Sequence, residues 1–416
     1  MQETVTKQLS KKGKSEFEFV ALMAFLMSNV ALSIDTILPA LPDLGVALDV
    51  SNTKQLQLVI IMVFLGLGVG ELFFGTLSDS FGRKPIVYSG VGLFIIASVL
   101  IVFSPNFELM LLGRIVQGIG LSAARSVSIA IIRDSYKGDR MARIMSFITT
   151  IFIIVPMIAP LLGQFILNAF NWQAIFYFQI IFITITIIWF SFRQEETLSV
   201  KNRIKISKHI FADGLREYFK FRDPITFTII AGFINGAFIS YLGSSQQIFQ
   251  IQYQMQDEFP YIFGGLAFSF GIAALFNASL VLKFGMMKLI RTAFYFYIAT
   301  SFIYLIFFSG ITQAMIGQPV IENPPMGILI AFISLIFLSL GFISGNMSAM
   351  AMQSIGHIAG IGAAIYSFLS MTIGVIVAIL VGSFIDDLSF PLFIAFFLSG
   401  IIGIFLLNYA RSRKSR

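Results

Sequence analysis

The chain has 416 residues, 57% of them hydrophobic and 12% charged, with no cysteine and a formal net charge of +7. Soluble domains carry about 25% charge, so this is not the composition of a soluble enzyme. The lack of cysteine removes disulfides, thiol catalysis and thiolate metal sites. The two histidines, His209 and His357, fall outside the apolar runs, so no metal centre and no cofactor is expected.

Continuously apolar runs of about 20 residues predict helices that cross a bilayer, and their lack of two-residue alternation argues against a β-barrel. In chain order they cover 18–41, 55–77, 84–104, 107–132, 142–167 and 172–192, then 224–248, 259–282, 289–310, 326–349, 359–385 and 389–410. The first follows Lys7, Lys11, Lys12 and Lys14, as a signal peptide would. It is too long for a signal h-region, lacks a small-residue cleavage site and contains Asp35, so it reads as a retained helix. The expected fold is all-α and polytopic: a tail at 1–17, a six-helix bundle at 18–192, a linker at 193–223, a second bundle at 224–410 and a tail at 411–416.

Charge fixes the expected orientation. Of the 28 lysines and arginines, 25 fall in the tails and alternate loops on one side, and Lys54 alone on the other. By the positive-inside rule both termini are cytoplasmic. The positive balance is therefore a topology signal, and no nucleic-acid partner is expected.

Along the chain, polar residues inside the apolar runs carry the argument. Asp35, Glu71, Arg114 and Arg125 are the four charged ones. An ionised group at bilayer depth costs about 2.5 kcal/mol or more on insertion scales, so it persists when paired or functional. Counting at 1.5 Å per residue puts Asp35 and Arg114 at one depth and Glu71 and Arg125 at another. Two acid–base layers are expected, the inner one either static or moving. The second half offers only uncharged candidates for a solute cavity, among them Asn235, Tyr241, Gln246, Asn277 and Asn346, which can equally serve as interhelical glue.

Between the second and third helices lies Gly75-Thr76-Leu77-Ser78-Asp79-Ser80-Phe81-Gly82-Arg83-Lys84-Pro85. Gly75 is expected to let helices approach, Gly82 to turn the chain, and Asp79 to meet Arg83 or a neighbouring helix end. A weaker echo, Phe284-Gly285 followed by Lys288, stands at the matching place in the second half. The stretch Ile204–Phe221 within the linker reads either as a basic helix on the membrane surface or as a solvated connection.

The Gly75–Pro85 segment resembles the signature of the major facilitator superfamily. Arg114-Ile115-Val116-Gln117-Gly118-Ile119-Gly120 resembles that superfamily's fourth-helix pattern. Pro156-Met157-Ile158-Ala159-Pro160-Leu161-Leu162-Gly163 resembles its exporter-associated fifth-helix block, with Ala159 and Gln164 departing from it. The segment Asp35–Pro42, together with Arg133-Asp134 closing the fourth helix, is similar to the bicyclomycin/chloramphenicol-resistance (Bcr/CflA) branch of drug:proton antiporters. The resemblance implies twelve helices, alternating access and proton-driven export of small amphipathic compounds by a monomer in the bacterial inner membrane. Asp35 and Arg114 would serve proton and substrate coupling, and the proton gradient would supply the energy. A facilitator or proton symporter for a metabolite would use the same fold. A membrane enzyme or receptor would need a catalytic set or soluble domain that the sequence lacks.

Overall fold

The computed structural model describes residues 15–204, 210–308, 324–385 and 389–412; His209, Pro319 and most of both tails lie outside the described residues. Twelve long helices are present among them. They are α1 Glu16–Asp35, α2 Leu58–Phe81, α3 Arg83–Val102, α4 Phe107–Ser135, α5 Gly138–Ala169 and α6 Trp172–Arg193, then α7 Arg222–Gln246, α8 Phe259–Phe284, α9 Met286–Phe308, α10 Met326–Gln353, α11 Ala359–Gly382 and α12 Phe390–Ser412. Eleven are long and apolar enough to cross a membrane, and within α5 the stretch Ile154–Ala169 is apolar too.

Local chemistry sets the ends. Ser15, Asn106 and Asn171 cap α1, α4 and α6 by accepting the backbone N–H three residues on, at 2.9–3.0 Å, which satisfies one of the donors a helix start leaves open. Gly82 and Gly285 stand at φ +107° and +78°, a region that residues with a Cβ avoid. They break α2 from α3 and α8 from α9 at matching places in the two halves. α1 stops at Asp35, where a turn, a 3-10 segment Leu38–Ala40 and a short helix Leu41–Ala47 continue the span.

Helix pairings repeat with an offset of six: α1 with α5 and α7 with α11, α2 with α4 and α8 with α10, α3 with α4 and α9 with α10. This is the mark of a duplicated bundle. Glycines set the closest approaches in the first bundle. A Cβ on Gly118 would lie 2.2 Å from the Val63 carbonyl of α2, and one on Gly120 would lie 2.6 Å from the Gly90 carbonyl of α3. The bundles meet where α2 crosses α11, with Gly68 against Met371, and where α5 crosses α8, with Gly264 against Met157.

A linker helix, Ile210–Tyr218, lies against both bundles. Phe211 stacks edge-on to Phe73 of α2 at 5.6 Å, Gly214 faces Ile361 of α11, and Tyr218 is buried with Ile355 and Ile365. Burial raises the Tyr218 hydroxyl to about 12. Glu217 on the same helix is held below the ordinary glutamate value, first by its hydrogen bond to the Lys220 ammonium.

Candidate functional site

A cavity of about 230 Å³ lies between the bundles, walled by α1, α2, α4 and α5 on one side and α7, α8, α10 and α11 on the other. Its lining is apolar and aromatic, with Phe64, Phe238, Phe263, Phe270 and Phe337, and only two charged residues reach it: Asp35 and Arg125. Asp35 is 4% exposed, and among the described residues its carboxyl has no hydrogen-bond or ion-pair partner. Gly163 of α5 makes this corner tight, since a Cβ there would lie 2.0 Å from the carbonyl of Thr36. Pro156 and Pro160, inside α5, remove backbone donors from the same helix.

Arg114 does not pair with Asp35. Its guanidinium is fully buried and donates to the carbonyls of Val59 at 2.9 Å and Ser33 at 3.1 Å, and to Gln117 Oε1 at 2.6 Å. The Phe176 ring lies 5.8 Å from it. Gln117 Nε2 then reaches Ser98 and Gln179, and Gln179 Nε2 donates to the Thr36 hydroxyl at 2.9 Å. The physical reason is reach: the planar fork is satisfied by three oxygens on α1, α2 and α4, leaving nothing directed at the carboxylate. Arg114 therefore holds both flanks of Asp35, directly at the Ser33 carbonyl and through amides at the Thr36 hydroxyl. Gln179 and Thr36 were not singled out from the sequence, although an amide inside the sixth apolar run was a signal for the first.

Arg125 Nη1 meets Glu71 Oε1 at 2.7 Å, with side-chain exposures of 33% and 8%. Arg125, not Arg114, is thus the cation that shares a cavity with Asp35.

At the end carrying the termini, Arg83 joins three elements. It donates to Asp79 at 2.6 Å, to Asp134 at the end of α4 at 2.9 Å and to the Ser78 hydroxyl at 2.8 Å. Glu196, just beyond α6, accepts the backbone N–H groups of Arg83 and Lys84, both at 3.0 Å, capping α3 from another part of the chain. Lys84 Nζ in turn donates to the Ser191 and Gln194 carbonyls at 3.1 and 2.7 Å, closing the end of α6. Sequence reasoning missed Glu196, one of several acids in the linker. Arg133 is exposed and takes no part in this network. Gly75 meets nothing within 4 Å of a built Cβ, so it brings no helices together; its carbonyl accepts the Ser78 hydroxyl instead.

The five polar candidates of the second half do not converge on the central cavity. Asn277 and Asn346 bond each other reciprocally at 2.7 and 3.4 Å, tying α8 to α10. Asn235 faces Gly374 of α11, and Gln246 lines a separate cleft at the far end. Tyr241 sits behind the cavity wall between the Phe263 and Phe337 rings, its hydroxyl buried without a partner. In a dry bundle amides satisfy one another first, which leaves aromatic groups to line the solute space.

Comparison with known proteins agrees with this architecture. The family profile described as Major Facilitator Superfamily matches residues 20–379. A Bacillus subtilis (strain 168) protein named uncharacterized MFS-type transporter YdgK is 27% identical over 394 residues, 94% of each chain. A Haemophilus influenzae bicyclomycin resistance protein homolog is 26% identical over 407 residues, 97% of this chain and 99% of that protein. The multidrug resistance protein MdtL of Citrobacter koseri is 37% identical over 159 residues, 37% of this chain and 40% of that one. Among solved structures, a peptide transporter POT superposes with a TM-score of 0.74 at 11% identity, covering 96% of each chain. The Escherichia coli xylose transporter XylE in a partially occluded inward-open conformation superposes at 0.67 and 13% identity, covering 96% of this chain and 98% of that one. With a family profile spanning most of its length and a duplicated twelve-helix fold around a central cavity, the chain belongs to the Major Facilitator Superfamily and is a multi-pass membrane transporter, not an enzyme.

Proposed function

We propose that this transporter exports small amphipathic compounds in exchange for protons, with Asp35 as the proton-carrying group. The observation that carries this reading is the Asp35 carboxyl, buried without a partner in an apolar cavity between the bundles. An ionised carboxylate there is costly, and its place at the C-terminal end of α1 sets it against the helix dipole. A proton or a cationic guest relieves that cost, and each would displace the other. The aromatic wall suits the apolar body of such a guest. Relatives named for bicyclomycin and multidrug resistance support export over uptake.

Alternating access needs the bundles to part at one end while meeting at the other. At the end away from the termini, Gln57 at the start of α2 bonds Gln247 at 3.3 Å and abuts Gly382. These contacts support an arrangement closed at that end. The Arg83–Asp79–Asp134 network ties α2, α3 and α4 of the first bundle at the terminal end, and its distance from the central cavity supports a role in state balance rather than in binding. The clustering of basic residues supports cytoplasmic termini in a bacterial inner membrane. The protein then works as a monomer, energised by the proton gradient and without a cofactor.

The test is a pH-gradient assay in inside-out membrane vesicles carrying the protein. Adding a substrate should release protons from the lumen, reported by recovery of a quenched pH dye. Substrate movement with no change in the proton gradient would make the protein a facilitator and reject the proposal.

A further inference from the structure

Six glutamines fall within eleven residues, Gln246, Gln247, Gln250, Gln252, Gln254 and Gln256, and neither the central cavity nor the ion-pair network uses them. They begin at the last residue of α7, after which Gln247–Gln252 is wound as a π-helix with Tyr253 N–H bonding the Ile248 carbonyl at 3.1 Å. Such wide turns are rare and cluster at functional sites. Here the wide turn sends Gln247 towards Gln57 and Gln250 into a cleft of about 820 Å³ at the far end.

The cleft is built for polar groups. Gln246 is 2% exposed, lines it, and its Nε2 has no hydrogen-bond partner. Across it Gln164 donates to Asn168 at 2.8 Å but leaves its own Oε1 unpartnered. A buried amide donor and a buried acceptor, on two side chains that line one space, each cost free energy until something binds them. Asp43 and Asp257 line the same space, while no lysine, arginine or aromatic ring does. That set repels anions and offers no stacking surface. It matches a solute with hydroxyls that both donate and accept and with amines to meet two carboxylates.

The cleft and the central cavity share their walls. On α7, Leu242 lines the cavity and Gln246 the cleft, four residues and about 6 Å further along the helix. On α5, Pro156 lines the first and Gln164 the second; Asp35 and Pro39 divide in the same way after α1, and Phe263 and Asp257 around the start of α8. We infer that this cleft is a second binding station, for amine-bearing, hydroxyl-rich cations, one to two helical turns beyond the central cavity. It rests on the transport reading only for its place on the solute's route.

Isothermal titration of the purified protein in zwitterionic lipid nanodiscs tests this, with kanamycin as the cationic amino-sugar probe, sucrose as its neutral counterpart and empty nanodiscs as the blank. Saturable kanamycin binding is expected, weakened at least tenfold by Asp43→Asn and by Asp257→Asn, both at exposed positions that do not hold the fold. Gln246→Leu should weaken it as well, and Asp35→Asn should leave it unchanged. Absence of binding, equal binding of sucrose, or full binding in both aspartate variants overturns the inference. So does loss of binding in Asp35→Asn alone, which would put the probe in the central cavity. Titration needs no gradient, so failure of proton coupling in vesicles leaves this result standing.

Discussion

Arg114 Nη2 donates to the carbonyl of Ser33 at 3.1 Å, two residues before Asp35, and not to the Asp35 carboxylate. The buried arginine thus fixes the backbone that presents the acid while leaving the carboxyl itself without a partner. Arg114→Lys should fail in this role, because a single ammonium cannot span Val59, Ser33 and Gln117 together. With hydrogen bonds to charged groups worth about 1.5–3 kcal/mol each, we expect the variant to melt several degrees lower in nanodiscs. An unchanged melting temperature would contradict the positioning role.

Two glycines in apolar helices should behave in opposite ways. Gly118→Ala places a Cβ 2.2 Å from the Val63 carbonyl, so α2 and α4 must separate, at a cost of about 1–3 kcal/mol. Gly75→Ala meets open space within α2 and should stabilise by about 0.5–1 kcal/mol through helix propensity. Thermal unfolding of the two single variants decides between this account and one in which Gly75 packs helices.

Glu71 and Arg125, 2.7 Å apart, should show coupling in a double-mutant cycle. Glu71→Gln alone leaves Arg125 unpaired beside the cavity. Because that arginine is a third exposed, the expected cost is about 2 kcal/mol, below the range of fully dry pairs. Glu71→Gln with Arg125→Gln should cost less than the sum of the singles. Strict additivity would show that the pair does not hold in the membrane.

The terminal-end network should govern the balance of states. Glu196→Gln removes the charge that caps α3 and should cost about 1 kcal/mol; Asp79→Asn removes a partly exposed pair worth about 1 kcal/mol at most. Both should slow turnover or shift the balance between states, read by distance labels across the two ends, with equilibrium substrate affinity nearly unchanged. Lost affinity with an unmoved balance would assign these residues to binding instead.

Much of this was legible in the sequence, for physical reasons. The bilayer dictates helix length, so the spans stood out, and Gly82 and Gly285 marked matching breaks. Depth arithmetic brought Glu71 to Arg125 because both lie on continuous helices. It failed for Asp35 and Arg114 because depth does not give direction, and α1 ends at Asp35, where the helical count stops applying. Gly75 misled because a glycine in a helix does not say which face it occupies. Asn277 and Asn346 resembled a solute site, yet amides on neighbouring helices satisfied each other. Glu196 was hidden because the segment it caps lies more than a hundred residues earlier.

The central claim is that the unpartnered Asp35 carries the coupled proton. The most direct measurement compares Asp35→Asn with the parent protein in proteoliposomes, recording proton-driven substrate accumulation and substrate–substrate exchange side by side. The account predicts that the variant folds and exchanges substrate but no longer accumulates it against a gradient. Undiminished proton-driven accumulation by Asp35→Asn would contradict it.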